Sequence, residues 1–307
     1  MKALTITINP CVDKSTSVKG IVPEKKLRCN IPKYEPGGGG INVSRALKRL
    51  KVEALTLFIS GGRTGKLLET LLQNENLQTM PFPVENETRE NFIVVDSLNQ
   101  QQFRFGFPGL SCTESEQKAL LKTLESITDF PKISVISGSL PDGLNAQFIK
   151  EIIQICKHKN SKVIIDTSGE SLEVAVQEGV FLIKPNIGEL ATLTGNNELN
   201  LQTMEAAAKE LINKGAAEIV VVSLGASGAT LFYKNGKIHQ PAPLVKVKST
   251  VGAGDSMVAG MVYALINNSS MKDLLRMGIA CGSATTMAEG TALFDTENVF
   301  KILNELD

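Results

Sequence analysis

Four apolar runs, Ile133 to Ser137, Val163 to Asp166, Phe181 to Ile183 and Ile219 to Ser223, recur along the second half of the chain with helical stretches between them. Parallel neighbours in a sheet need a crossover, and a helix supplies it, so the alternation predicts a mostly parallel sheet with helices on its faces. Each run ends in small or polar residues: Ser137-Gly138-Ser139-Leu140-Pro141, Asp166-Thr167-Ser168-Gly169, Lys184-Pro185-Asn186-Ile187-Gly188-Glu189 and Ser223-Leu224-Gly225. In a doubly wound α/β fold those carboxyl ends line one crevice, where ligands bind.

The first half fits the same plan with an excursion. Ala3 to Ile8 has strand character and stops at Asn9-Pro10, which puts Asp13 just beyond the carboxyl end, either as a ligand-facing carboxylate or as a turn former. Residues 14 to 34 are short, polar and strand-like, without helical periodicity. Four glycines, Gly37 to Gly40, then lead into an amphipathic helix that ends near Leu50 and carries Asn42 in its first turn. Such a run is either a flexible loop or a backbone that closes on a ligand, and its place between strand and helix favours binding. Ala54 to Ile59 reads as a strand. Phe92 to Asp96 and Gln101 to Phe107 flank a turn at Leu98-Asn99, a hairpin preceded by Arg89 and containing Arg104. Together with residues 14–34 it makes a small β lid, built from about 14–34 and 89–108, on one α/β domain spanning residues 1–307. Helices near Glu114 to Ile127, Met271 to Met287 and Thr296 to Leu306, and a hairpin at Asn235-Gly236, complete the reading.

Chemistry concentrates in Ser249-Thr250-Val251-Gly252-Ala253-Gly254-Asp255-Ser256, followed by the apolar stretch Met257 to Leu265. The stretch predicts a buried helix whose N-terminal N–H groups, from Gly252, Ala253 and Gly254, attract an anion. Asp255 is then either a first-turn carboxylate favoured by the helix dipole or a base aimed at a hydroxyl beside a bound phosphate. Competing nucleotide motifs fail. Gly61 to Lys66 is one residue short of a Walker A loop and Leu67 replaces its Ser or Thr, and no G-x-G-x-x-G follows the first strand.

Composition narrows the partners. The 32 basic and 32 acidic side chains cancel, so net charge offers nothing to nucleic acid or membrane. Five cysteines without C-x-x-C spacing, and two histidines, point to free thiols in a reducing cytoplasm and away from zinc. The N-terminus is too short for a signal h-region, and no apolar run reaches membrane-spanning length.

Asn9-Pro10 with Asp13, the glycine run with Asn42, Asn186-x-x-Glu189 and Val251-Gly252-Ala253-Gly254-Asp255, in this order, resemble the PfkB branch of the ribokinase-fold sugar kinases from end to end. Within that branch, Lys26-Leu27-Arg28-Cys29, the all-glycine run after Glu35-Pro36, Ile136 to Pro141 and Ser249 to Met257 are similar to the minor, ribokinase-type 6-phosphofructokinases. The 1-phosphofructokinases and tagatose-6-phosphate kinases, which typically have a lysine in the glycine run, are the alternatives; a sugar-phosphate-binding regulator without chemistry is the alternative from another class. The resemblance implies ATP-dependent phosphorylation of the C1 hydroxyl of fructose 6-phosphate. By motif match, Asp255 is the base and Gly252, Ala253 and Gly254 form the anion hole. Asn186 and Glu189 organise magnesium through water. Lys184, Asn186, Ser223, Gly225, Gly228 and Thr250 face the nucleotide. Asp13, Gly38, Gly39, Asn42 and Ser139 hold the sugar, and Lys26, Arg28, Arg89 and Arg104 are the cations available for its phosphate. A monovalent cation, potassium, matches Ser249, Val251, Thr285, Ala288, Gly290 and Ala292, although Asn and Arg are expected where Ala288 and Ala292 stand.

Alternation in Gln101 to Phe107 puts Phe103, Phe105 and Phe107 on one face and Gln102, Arg104 and Gly106 on the other. A lid of a few strands has no core of its own. If its Arg104 face covers the sugar phosphate, the phenylalanine face either folds back on the main domain or meets a second copy of the chain. The resemblance favours a homodimer joined through the lids.

Overall fold

The computed structural model describes residues 1–109, 112–196 and 198–306. The first part of the chain runs β1 (Ala3–Thr7), β2 (Cys11–Val18), β3 (Lys33–Gly37), α1 (Gly39–Arg49), β4 (Ala54–Ser60), α2 (Gly62–Asn74) and β5 (Gln78–Pro83). Then follow β6 (Arg89–Asp96), β7 (Gln101–Gly106), α3 (Glu114–Glu125), β8 (Ile133–Ser137), α4 (Gln147–His158), β9 (Lys162–Asp166), α5 (Gly169–Glu178) and β10 (Val180–Ile183). The remainder is α6 (Ile187–Leu193), α7 (Leu201–Asn213), β11 (Ala217–Ser223), β12 (Ala229–Tyr233), β13 (Gly236–Gln240), α8 (Ala253–Ile266), α9 (Met271–Thr286) and α10 (Thr296–Glu305).

The main sheet has nine strands in the order β13-β12-β11-β10-β9-β8-β1-β4-β5. All neighbours from β11 to β5 run parallel, and the β12–β13 hairpin adds an antiparallel edge. From β1 the chain winds outward through β4 and β5, then returns beside β1 at β8 and winds the other way. The reversal between β1 and β8 is the switch point where such folds bind ligands. β5 is the strand absent from the sequence reading. Its Pro81 and Pro83 read as breakers, and they are tolerated because β5 lies on the sheet edge, where a missing N–H breaks no ladder.

Period-two alternation splits each central strand between two cores. Ile6, Ile136, Ile165, Ile183 and Val220 face Leu124, Phe148, Ile152 and Met204. Val135, Ile164, Leu182 and Val221 face Val43, Leu47, Val258, Met261 and Ile279. Helix α8 is apolar all round because it is covered on several sides, packing on both α1 and α9.

A separate four-stranded sheet, β3-β2-β6-β7, pairs β2 parallel with β6 and otherwise runs antiparallel. Asp13 lies inside β2, opposite Glu35 and Asn91, rather than in a turn after β1. Strand character over residues 14–34 is confined to the two ends, and residues 21–31 are exposed. Among the described residues, no helix is long and apolar enough to cross a membrane.

Candidate active site

Helix α8 starts at Gly252, whose φ of 73° is left-handed. Glycine adopts that conformation without penalty, and a Cβ there would stand 2.9 Å from Leu293 Cδ2. No described side chain caps the helix. Ala253 N–H makes a long turn bond to Thr250 O at 3.4 Å, and Ser256 N–H donates to Gly252 O at 2.9 Å. The start of the helix therefore keeps the donor character expected of an anion site, with Ala253 contributing less than Gly254.

Asp255 sits in this first turn, partly exposed as a residue with its carboxyl turned inward. Its Oδ2 accepts from Asn42 Nδ2 at 2.9 Å, a bond that joins α1 to α8. Burial pushes the carboxyl up to about 7, Asp166 adds to the rise, and Asn42, Lys184 and Ser137 hold it back. Asn42 is delivered by the glycine run: a Cβ on Gly39 would come within 2.2 Å of Ser137 Oγ, so a larger residue would push α1 off the end of β8.

At the ends of β9 and β10, Lys184 Nζ pairs with Asp166 Oδ1 at 3.0 Å. Burial disfavours the ammonium, but Asp166, helped by Asp255 and Glu189, outweighs it and raises the lysine's pKa. Asn186 and Glu189 form a reciprocal capping box on α6: Glu189 N–H donates to Asn186 Oδ1 at 2.8 Å and Asn186 N–H to Glu189 Oε2 at 2.8 Å. Glu189 Oε1 is not used by the box. Lys184, Ser223, Gly225, Gly228, Thr250 and Gly254 line a cavity of about 450 Å³, walled on its other side by Leu244, Val245, Val247, Met257 and Ile279. That size and its mostly apolar wall suit a nucleobase with its sugar.

In the second sheet, Asp13 Oδ1 accepts from Asn91 Nδ2 at 2.9 Å and from Cys11 Sγ at 3.4 Å. Ser139 Oγ accepts from Asn9 Nδ2 at 3.1 Å. Arg89 donates to Asn9 O at 3.2 Å, to Asn91 Oδ1 at 3.3 Å and to Phe107 O at 3.1 Å, which ties the second sheet to the end of β1. The other three cations stand differently. Arg104 is exposed and bonds along its own strand to Gln102, while Lys26 and Arg28 project from the exposed segment and pair with no described residue.

The positions matched to a monovalent cation come together in part. Ser249 Oγ donates to Gly290 O at 2.7 Å, and Val251 N–H donates to Ser249 Oγ at 3.3 Å. Thr285, by contrast, is fully buried, with its hydroxyl donating to Ser256 Oγ at 2.7 Å and its carbonyl taken by Ala288 N–H at 3.0 Å. Ala292 N–H donates to Glu289 O in the same turn at 3.1 Å.

Asp166 and Asn91 escaped the sequence reading as site residues, though each left a trace. Asp166 closes a predicted strand at its carboxyl end, and Asn91 lies two residues after Arg89, hence on the same face of β6. The apolar wall at Leu244 to Val247 left none, because it forms from an irregular segment.

The pfkB family carbohydrate kinase profile matches residues 3–298. The chain is 39% identical over 308 aligned residues to the ATP-dependent 6-phosphofructokinase isozyme 2 of Escherichia coli, covering 99% of each. It superposes on the Escherichia coli phosphofructokinase-2 solved with fructose-6-phosphate at a TM-score of 0.93 and 38% identity, over 99% of both chains. With the potassium complex of that enzyme the TM-score is 0.95 and the identity 39%, over 99% of this chain and 98% of the other. This chain belongs to the pfkB family of carbohydrate kinases, with a ribokinase-like fold.

Proposed function

We propose that the chain transfers the γ-phosphoryl group of ATP to the C1 hydroxyl of fructose 6-phosphate. Asp255 carries the reading. A carboxylate placed for the helix dipole alone would have a lowered pKa, whereas this one is raised to about 7 at the mouth of an anion site. In the transfer, the hydroxyl O–H bond breaks and Asp255 takes the proton. The freed oxygen bonds to the γ-phosphorus, and the bridging P–O bond breaks to release ADP. Gly252 and Gly254 N–H groups, with Ala253 beside them, hold the charge on the moving phosphoryl group.

The nucleotide lies along Lys184, Asn186, Ser223, Gly225, Gly228 and Thr250. Glu189 and Asn186 would hold magnesium through water, and the ion, when bound, neutralises phosphate charge. Ser249, Val251 and Gly290 offer oxygens to potassium, with Thr285, Ala288 and Ala292 shaping the turn behind them. The sugar rests on Asp13, Gly38, Gly39, Asn42 and Ser139. Its phosphate meets Arg89 first, and Arg104, Lys26 and Arg28 are the further cations that reach it when the lid, built from about 14–34 and 89–108 around the four-stranded sheet, closes.

The chain works as a homodimer joined through its lids. Phe105 is 50% and Phe107 46% exposed, and they share an apolar face with Phe92 and Val94 on the side of the sheet opposite Asp13. Free thiols at all five cysteines suit a reducing cytoplasm. The assay is ADP release against fructose 6-phosphate, fructose 1-phosphate, tagatose 6-phosphate, fructose and ribose. Turnover led by fructose 6-phosphate is expected, and a higher kcat/KM for any of the others overturns the substrate assignment.

A further inference from the structure

Arg45 is 3% exposed, a charge held in the stretch of α1 from Gly40 to Leu47 that is buried throughout. Its guanidinium is shared among three elements. Nε donates to both carboxylate oxygens of Glu75 at 2.9 Å, and Nη2 lies 2.8 Å from Glu75 Oε1, so one edge is fixed on the C-cap of α2. Nη1 donates to Pro36 O, on β3, at 3.1 Å, and to Asn42 Oδ1 at 3.3 Å.

That last bond decides which way round Asn42 faces. A guanidinium has donors and no acceptor, so the amide must turn its oxygen toward Arg45 and its NH2 toward Asp255. Reversed, the amide would set its oxygen against a carboxylate oxygen and favour the protonated acid. We propose that Arg45, anchored by Glu75, is a positioning residue for the transfer: it locks the Asn42 amide so that Asp255 is met by a donor and is ready to accept the hydroxyl proton. The proposal rests on the reading of Asp255 as proton acceptor. The other groups facing Asp255, which are Asp166 on β9, Lys184 after β10, Ser137 on β8 and Cys11 on β2, are independent of Arg45.

The test is a double-mutant cycle of Arg45→Met with Asn42→Ala, read by kcat and by the acid limb of its pH profile with fructose 6-phosphate and ATP. Arg45→Met should lower kcat by about tenfold or more, the scale of one hydrogen bond to a charged group, and move the acid limb to higher pH. In the Asn42→Ala background the same change should alter kcat less than about twofold, because the group it acts through is gone. An equal loss in both backgrounds, or an acid limb that stays in place, overturns the proposal. Arg45→Lys keeps a cation against Glu75 but offers one nitrogen where three partners need a fork, so the same outcomes are read from it should Arg45→Met not fold. Asp255→Asn run alongside separates the two readings. If it keeps wild-type turnover the base assignment fails, whereas additivity in the cycle removes Arg45's role alone.

Discussion

Replacing Asp255 by Asn should make the protein more stable and nearly inactive in one step. Asn keeps an oxygen that can accept from Asn42 Nδ2, so the joint between α1 and α8 survives. What it removes is a charge that folding disfavours. Raising a carboxyl from its ordinary 3.8 to about 7 corresponds to about 4 kcal/mol at roughly 1.4 kcal/mol per tenfold. The partial exposure of the residue brings the expectation down to roughly 2–3 kcal/mol. The sign follows from proton counting. Between pH 4 and 7 the folded Asp255 holds a proton that the unfolded chain has released, so wild-type stability falls as pH rises through this window. The gain in the variant is therefore near zero below pH 4, grows through the window and is flat above it. Urea unfolding of both proteins at pH 4, 5.5 and 8 measures the difference, and a coupled ADP assay measures a kcat loss of about 10² to 10⁴. A stability difference that is the same at pH 4 and pH 8 would refute the burial argument. Retention of more than about a tenth of wild-type kcat would refute the role as base.

The capping box separates two neighbours. Asn186→Ala should lose about 1 kcal/mol of stability with the cap, whereas Glu189→Gln keeps the box and should raise the magnesium needed for half-maximal rate at unchanged stability; activity loss indifferent to magnesium in Glu189→Gln would remove its assigned role. Arg89→Ala should raise KM for fructose 6-phosphate by about tenfold or more and leave KM for ATP alone, since a phosphate loses a charge-assisted partner; equal KM values in the two proteins would point to Arg89 as a strut between β6 and Asn9. Phe105→Asp should sediment as a monomer in analytical ultracentrifugation and bind the sugar phosphate more weakly, and a wild-type protein that is monomeric at micromolar concentration with full activity would end the dimer reading.

The parallel sheet and the buried helix after Asp255 were legible because each rests on a local rule: alternation of runs, small residues at strand ends, an apolar stretch behind glycines. β5 was not, since proline carries the same signature in a turn and at a sheet edge. The site was legible where one segment supplies both the geometry and the chemistry, as in Gly252 to Asp255. It was opaque where function needs partners brought from afar. Lys184 stood out as the end of a strand, but Asp166, which keeps it charged, is visible as its mate only once β9 and β10 lie side by side. Asn186-x-x-Glu189 carries the sequence signature of a capping box as well as of a metal motif, and the fold displays the first directly.

The four-stranded sheet has one parity for two faces. Asp13, Asn91 and Arg104 occupy one side, and Lys14, Phe92 and Phe105 the other, with β2, β6 and β7 held in register. A single residue inserted into the turn 97–100 that slid β7 by one place would exchange its two sides, setting Phe103 where Arg104 had been. The faces of such a sheet could not drift gradually during evolution. Insertions that slide β7 preserve its faces only when they come in pairs, and an odd number would exchange both faces of the strand at once.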